Sequence, residues 1–539
     1  MLLSAAPLLP EQVVAVARNG ERVELGAGVE ATMTPGREVV AAALASGRVV
    51  YGVTTGFGAL ANTVILPEQA AALQHSLVRS HAAGVGQLVD DEVVRAMTVL
   101  RARTLATGHT GARPEVAAAL LALLNSGVQV AVPEHGSLGA SGDLAPMAHV
   151  AMALTGEGWV RGPDGEPQPA AETLRAAGLQ PLAFVVKEGL ALLNATEGML
   201  GMLVLACQDL RRLALTADVT CALSVEGLLG TDRPFDARLQ ALRPHPGQAA
   251  SAAVLSELLA GSAILAGHRH SRHAVQDAYS LRCAPQVHGA ARDTLAFAET
   301  VRDRELAAAV DNPVVLEDGS VESCGNFHGE PLAFAMDFLA VAAAELGAIS
   351  ERRTDRMLDP ARSHGLPPFL AAQAGLHSGF MLAQYTAASL VAENRRLAVP
   401  ASADSVPTSG MQEDHVSLGW SAGLKLRKVI DNLTAILAIE ALVAAAAVEH
   451  RAPDAPAART GAVIAALRGR VPAMPVDRFL AADIATVRSV IAAGTLLDAA
   501  GLDDAAPGQG GAGSRGRPPD AGSGERPQTD DPAKGRLEA

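Results

Sequence analysis

Aromatic residues are scarce in this chain: Phe, Trp and Tyr make up 3% of 539 residues, although 49% are hydrophobic. Sheet cores draw on aromatic and β-branched side chains, so this poverty argues against a sheet-dominated fold. Cysteine is sparse too. Cys207, Cys221, Cys283 and Cys324 lie far apart without paired metal-ligand spacing, and they read as reduced thiols of a cytoplasmic protein. Positive charge is in deficit. Forty-three basic residues against 57 acidic ones give a net charge of −14, which argues against nucleic acid or an anionic membrane as partner. No basic stretch followed by an apolar core follows Met1, so no signal peptide is expected. The most apolar long run, residues 435–448, reads as too short for a membrane span and carries Glu440.

The apolar content that is present is mostly Ala, Leu and Val, and alanine is the strongest helix former. A mainly α fold follows. The texture divides it into three: a smaller N-terminal globular domain over 1–193, an elongated bundle of long helices over 194–502, and a tail over 503–539. The tail is rich in Gly, Pro, Ser, Arg and Asp and reads as disordered. Residues Arg161 to Gly165 predict a tight turn between two short extended pieces. In the bundle, Leu426, Val429, Ile430, Leu433 and Leu437 recur at helical spacing, with Lys425, Lys428, Asp431 and Asn432 off that face. Residues 331–349 are nearly all apolar, which suggests burial in the bundle or at a subunit interface.

The most informative stretch runs Gly136-Ser137-Leu138-Gly139-Ala140-Ser141-Gly142-Asp143-Leu144-Ala145-Pro146. It can be a Gly-rich loop entering a helix, with Asp143 as N-cap and Pro146 in the first turn. It can also be chemistry. The amide nitrogen of Gly142 can attack the carbonyl carbon of Ala140 and close a five-membered ring, because glycine tolerates the compressed backbone. Loss of water, including the Ser141 hydroxyl, then leaves an exocyclic methylidene, an electrophile that no ordinary side chain offers.

With this motif the chain resembles the aromatic amino-acid ammonia-lyases that use a methylidene-imidazolone group, over roughly residues 50–451. Tyr51-Gly52-Val53-Thr54-Thr55-Gly56-Phe57-Gly58 is similar to the family loop bearing the catalytic tyrosine, with Thr54 where Asn or Ser is usual. Read alone, Gly56-x-Gly58-x-x-Ala61 could be a dinucleotide fingerprint, but Pro67 interrupts the helix that fingerprint needs. Ser80-His81-Ala82-Ala83-Gly84 resembles the segment that sets a histidine against the substrate ring in histidine-specific members. The segment Glu188 to Asn194 resembles the one whose asparagine lies beside the electrophile; the usual following Gly is Ala195. Gln276-Asp277-Ala278-Tyr279-Ser280-Leu281-Arg282 is similar to Gln-Asp-x-Tyr-Ser-x-Arg, and an arginine fork suits a substrate carboxylate. Asp311-Asn312-Pro313 and Gly325-Asn326-Phe327-His328-Gly329-Glu330 match further, with Cys324 where many relatives have Gly.

Gln412-Glu413-Asp414-His415 discriminates between substrates. Histidine-specific relatives carry the acid, which can accept an imidazole N–H, whereas phenylalanine-specific ones have neutral amides. Met411 departs from a commoner Asn. The resemblance implies deamination of L-histidine to trans-urocanate and ammonia by an electrophile self-generated from Ala140, Ser141 and Gly142, with no external cofactor or metal. It implies Tyr51, Asn194 and Tyr279 as further catalytic residues. His81, Gln276, Arg282, Asn312, Phe327 and Glu413 would bind substrate. A cytoplasmic homotetramer with shared sites is expected; a tyrosine or phenylalanine ammonia-lyase or aminomutase is the alternative. His268-x-His270-x-x-His273 lacks a carboxylate or thiolate at ligand spacing and reads as a solvated loop.

Overall fold

The computed structural model describes residues 1–140, 142–271 and 273–503; Ser141 and all but the first residue of the tail lie outside them. Among the described residues helices dominate, as the composition predicts, and the strands form four two-stranded sheets. Trp159–Arg161 pairs antiparallel with Pro167–Pro169 around the turn expected between them.

The helices that position the site are α1 (Ala70–His81), α2 (Asp91–Ala106), α3 (Leu144–Leu154), α4 (Glu188–Leu193) and α5 (Glu197–Gly227). Beyond them lie α6 (Tyr279–Arg282), α7 (Ala284–Ala307), α8 (Glu330–Leu358), α9 (Met381–Leu397) and α10 (Gly419–Glu449). Four long helices, α5, α7, α8 and α10, pack on one another as the bundle, while α1, α3 and α4 form a small cluster at its side. One continuous hydrophobic core runs through both. Alanine lets the long helices approach closely while each still buries apolar surface.

Two expectations need correcting. Residues 435–448 are part of a 31-residue helix, and α8 and α10, with the α4–α5 segment, are long and apolar enough to cross a membrane by length and composition. Their apolar windows are largely buried inside the protein, so the bundle accounts for the composition. Asn432 is buried as well, although the periodicity put it off the apolar face. Its Nδ2 donates to Glu393 Oε2 at 3.0 Å and to Asn394 Oδ1 at 2.8 Å on α9. A helix packed on several sides has no single polar face, and α10 touches α5, α8 and α9.

Candidate active site

Backbone sterics at the electrophile loop select its glycines. Gly142 has φ +79°, and a Cβ built there would sit 2.1 Å from the Ala195 carbonyl oxygen. Gly139 has φ +67°, and a Cβ would meet Ser417 Oγ at 2.3 Å. Both positions require glycine. The loop is held by Asp143 N–H donating to Ala195 O (2.5 Å), Leu418 N–H to Leu138 O (2.8 Å) and Gly329 N–H to Gly139 O (3.1 Å). Ala140 is buried. Gly142, held at positive φ with its backbone pressed against Ala195, leaves no room for a side chain, so the residues present fit the cyclised group.

Asp143 does not cap its own helix. Its carboxylate accepts from Ser137 Oγ at 3.1 Å and from the Met199 N–H at 2.9 Å, which satisfies an orphan donor at the N-terminus of α5. Complete burial pushes its pKa up to about 7, against the opposing pull of those hydrogen bonds.

Around this loop the chain gathers most of the expected residues. The Gly58 N–H donates to Tyr51 Oη at 3.1 Å, and the Tyr51 and Phe57 rings meet edge-on at 6.5 Å. Thr54 donates to Arg48 O and accepts from Val50 N–H, both at 2.8 Å, so this departure from the usual residue braces the tyrosine loop. Gly52 lies against Leu190 of α4, and Ala59 N–H donates to Ser409 Oγ at 3.2 Å. That bond ties the tyrosine loop to the segment carrying Glu413. Thr408 Oγ1 donates to Glu413 Oε2 at 2.9 Å, and Glu413 is half-buried. His81 ends α1 with Nδ1 3.1 Å from Ser80 Oγ. Burial pushes its pKa down, and the nearby Glu413 carboxylate opposes that shift. Asn194 Nδ2 donates to Asn312 O at 2.8 Å, while Asn312 Oδ1 accepts from Ser323 Oγ and Cys324 N–H. Phe327 stands two residues before Gly329, which is bonded to the loop.

Gln276, Tyr279 and Arg282 do not join them. Asp277 Oδ2 accepts from Thr231 N–H at 2.7 Å, just past the C-terminal end of α5, whereas Asp143 sits at its N-terminus. A helix of 31 residues separates the two groups, and at the α-helical rise that is about 45 Å. Arg282 stacks over the Tyr279 ring at 4.7 Å, Tyr279 is 71% exposed, and Arg282 Nε is buried without a partner among the described residues.

In the histidine loop nearby, His270 and His273 are exposed as the sequence suggests, and His268 is the half-buried member. His268 is bonded to Ile264 O (2.7 Å) and Gly230 O (2.8 Å), with His273 packed edge-on. Two clusters escaped the sequence reading. The Lys187 ammonium, pushed down by burial, meets Asp311 at 2.5 Å with both side chains shut away from solvent, and Asp311 Oδ1 accepts its own neighbour's Asn312 N–H. His328, Glu330 and His415 converge from two segments. Proximity in sequence signals neither cluster fully, since Lys187 and Asp311 are 124 residues apart.

Residues 8–469 match the family model of aromatic amino acid lyases. The chain is 57% identical over 492 residues to a histidine ammonia-lyase of Streptomyces griseus, covering 91% of this chain and 96% of that protein. Among solved structures, histidine ammonia-lyase of Trypanosoma cruzi superposes with a TM-score of 0.85 at 38% identity, over 93% of this chain and 94% of that one. Tyrosine aminomutase of Streptomyces globisporus superposes with a TM-score of 0.87 at 39% identity, over 93% and 98%.

Proposed function

The chain belongs to the aromatic amino acid lyase family, and on that premise we propose that it removes ammonia from L-histidine, giving trans-urocanate. The observation that carries histidine over tyrosine is the half-buried Glu413 carboxylate close to His81. A carboxylate accepts an imidazole N–H and gains nothing from an apolar ring. Fold likeness alone cannot choose, because the lyase and the aminomutase superpose about equally well.

The reaction has two obstacles, a weakly acidic β-hydrogen and a poor leaving group. The methylidene-imidazolone formed from Ala140, Ser141 and Gly142 supplies the electrophile that makes the amine leave more easily. This chain's side chains do the rest. Tyr51, oriented by the Gly58 N–H, takes the β-proton on its phenolic oxygen. Glu413 and His81 hold the imidazole and so fix which carbon faces Tyr51. Asn194, with Nδ2 held by Asn312 O, presents its Oδ1 to the reacting centre. Phe327 binds the substrate beside them.

Substrate carboxylate binding falls to Arg282, with Gln276 and Tyr279 beside it. About 45 Å of helix separates them from the electrophile of their own chain, so they serve a neighbouring chain in a homotetramer. Exposed Phe297, Phe334, Phe338 and Val341 on α7 and α8 give that assembly an apolar face. The four free cysteines agree with a cytoplasmic setting.

A substrate panel with mass analysis tests the reading. The intact chain should weigh two waters less than its sequence, one lost on ring closure and one from the Ser141 hydroxyl; Ser141→Ala cannot lose the second and should be inactive. Urocanate should form from histidine far faster than cinnamate from phenylalanine or coumarate from tyrosine. A β-amino acid product, or a preference for tyrosine, would replace this reading with the aminomutase one.

A further inference from the structure

Two segments flanking the candidate site bring together three metal-ligating side chains that the lyase reading does not use. His328 and Glu330 leave the stretch between Phe327 and α8, and His415 follows Glu413 by two residues. One ligand atom from each lies within 4.8 Å of the others. The two imidazoles stack with centroids 5.5 Å apart, and His415 Nδ1 faces His328 Nε2 at 3.4 Å.

Glu330 Oε2 is closed off from solvent and has no hydrogen-bond partner among the described residues. A desolvated carboxylate oxygen without a hydrogen-bond partner carries a penalty, and His328 and His415 attract it without bonding to it. The two facing nitrogens can satisfy each other with one proton, which leaves the carboxylate as it was. A cation between the three satisfies all of them at once. Bonds of about 2.1 Å in tetrahedral geometry put ligand atoms roughly 3.4 Å apart, which is the separation the two histidines already have.

We propose that His328, Glu330 and His415 form a binding site for a first-row divalent cation of the zinc class. Two imidazoles and one carboxylate suit zinc or cobalt, and leave a position for water. Glu330 opens α8, whose N-terminus carries about half a positive charge that opposes a cation; the full negative charge of the carboxylate outweighs it. His415 is exposed and gives the ion its entry. Occupied, the site ties the Phe327 segment to the Glu413 segment. It does not depend on the lyase reading, and its test reads metal rather than turnover.

Full-length protein without a histidine tag would be stripped with chelator, exchanged into clean buffer and titrated with Co²⁺, following visible d–d absorption. Saturation at one Co²⁺ per chain and displacement by Zn²⁺ are expected. His415→Ala, His328→Gln and Glu330→Gln should each weaken binding by roughly tenfold or more, while His270→Ala, on the other histidine loop, should not. His415 lies at the surface, so its replacement leaves the fold in place and carries the test if either of the others misassembles. No saturable spectrum, or equal affinity in His415→Ala, would overturn the proposal.

Discussion

Two carboxylates, Glu440 in the middle of the bundle and Glu413 at the candidate site, show how differently the two regions treat charge. Glu440 is fully buried and accepts from Thr220 and Ser224 of α5, from Ser350 of α8 and from the Arg353 guanidinium. Burial alone would raise its pKa, but Arg353 and these donors hold it below the ordinary carboxylate range. Glu413 is half-buried at the end of a short turn and accepts from Thr408. The first acid is closed on all sides and serves packing. The second stays partly exposed, and under the proposed function it serves the ligand. The backbone follows the same division. Positive-φ residues Ser409, Met411 and Leu418 cluster around Glu413, whereas the helices around Glu440 are regular. Strain of this kind persists where the surroundings over-determine it, as in sites that aim a side chain.

The sharpest way to break this comparison is to unpair Glu440. Arg353→Ala leaves a buried charge uncompensated, and such removals cost about 3–5 kcal/mol. Chemical denaturation should show that loss, while any folded fraction should keep its preference for histidine. A loss below about 1 kcal/mol would mean that water or a neighbouring side chain reaches Glu440 after all.

Glu413→Gln should behave in the opposite sense, with little change in unfolding midpoint and a large change in selectivity. Loss of a charge-assisted hydrogen bond to the imidazole is worth about 1.5–3 kcal/mol, or roughly ten- to more than a hundredfold in kcat/KM for histidine. Residual turnover of phenylalanine should hardly change. Equal losses on both substrates would show that Glu413 does not read the ring.

How far the sequence reveals each region follows from the same contrast. The site loops are legible because their residue types are chemically unusual and densely spaced: Ala140 to Asp143, the glycines about Tyr51, the acid at Glu413. The bundle is legible only as helix. A period of 3.6 tells one buried stripe from its opposite, not a helix enclosed by three others, so Asn432 falls on the polar side of the pattern although it is buried. The apolar run around Glu440 is shorter than the helix that contains it, because polar residues on either side continue the same helix. Pairings between distant segments, such as Lys187 with Asp311 or His328 with His415, depend on the folded path of the chain. The roughly 45 Å between the electrophile and Arg282 is invisible until α5 is seen as unbroken.

Asp143 lies between the two regimes and gives the smallest of the three effects. It is fully buried like Glu440, but the groups bonded to it are N–H donors and a hydroxyl where Glu440 has a guanidinium. Burial therefore wins, and its pKa is pushed up from 3.8 to about 7. The folded state holds a proton here that the unfolded chain has already released, so this group's contribution is fully present below the unfolded value. It is lost progressively as pH rises through the folded value. Between about pH 4 and pH 7 the wild-type melting temperature should carry a downward slope from this residue. Asp143→Asn cannot ionise, and its slope over the same interval should be shallower, even if the amide lowers stability throughout by mispairing with the Met199 N–H. Melting curves of both proteins at matched ionic strength measure the difference. Parallel slopes would show that Asp143 stays ionised when folded. The N-terminus of α5, at which it is held, would then stabilise its charge as firmly as Arg353 stabilises that of Glu440.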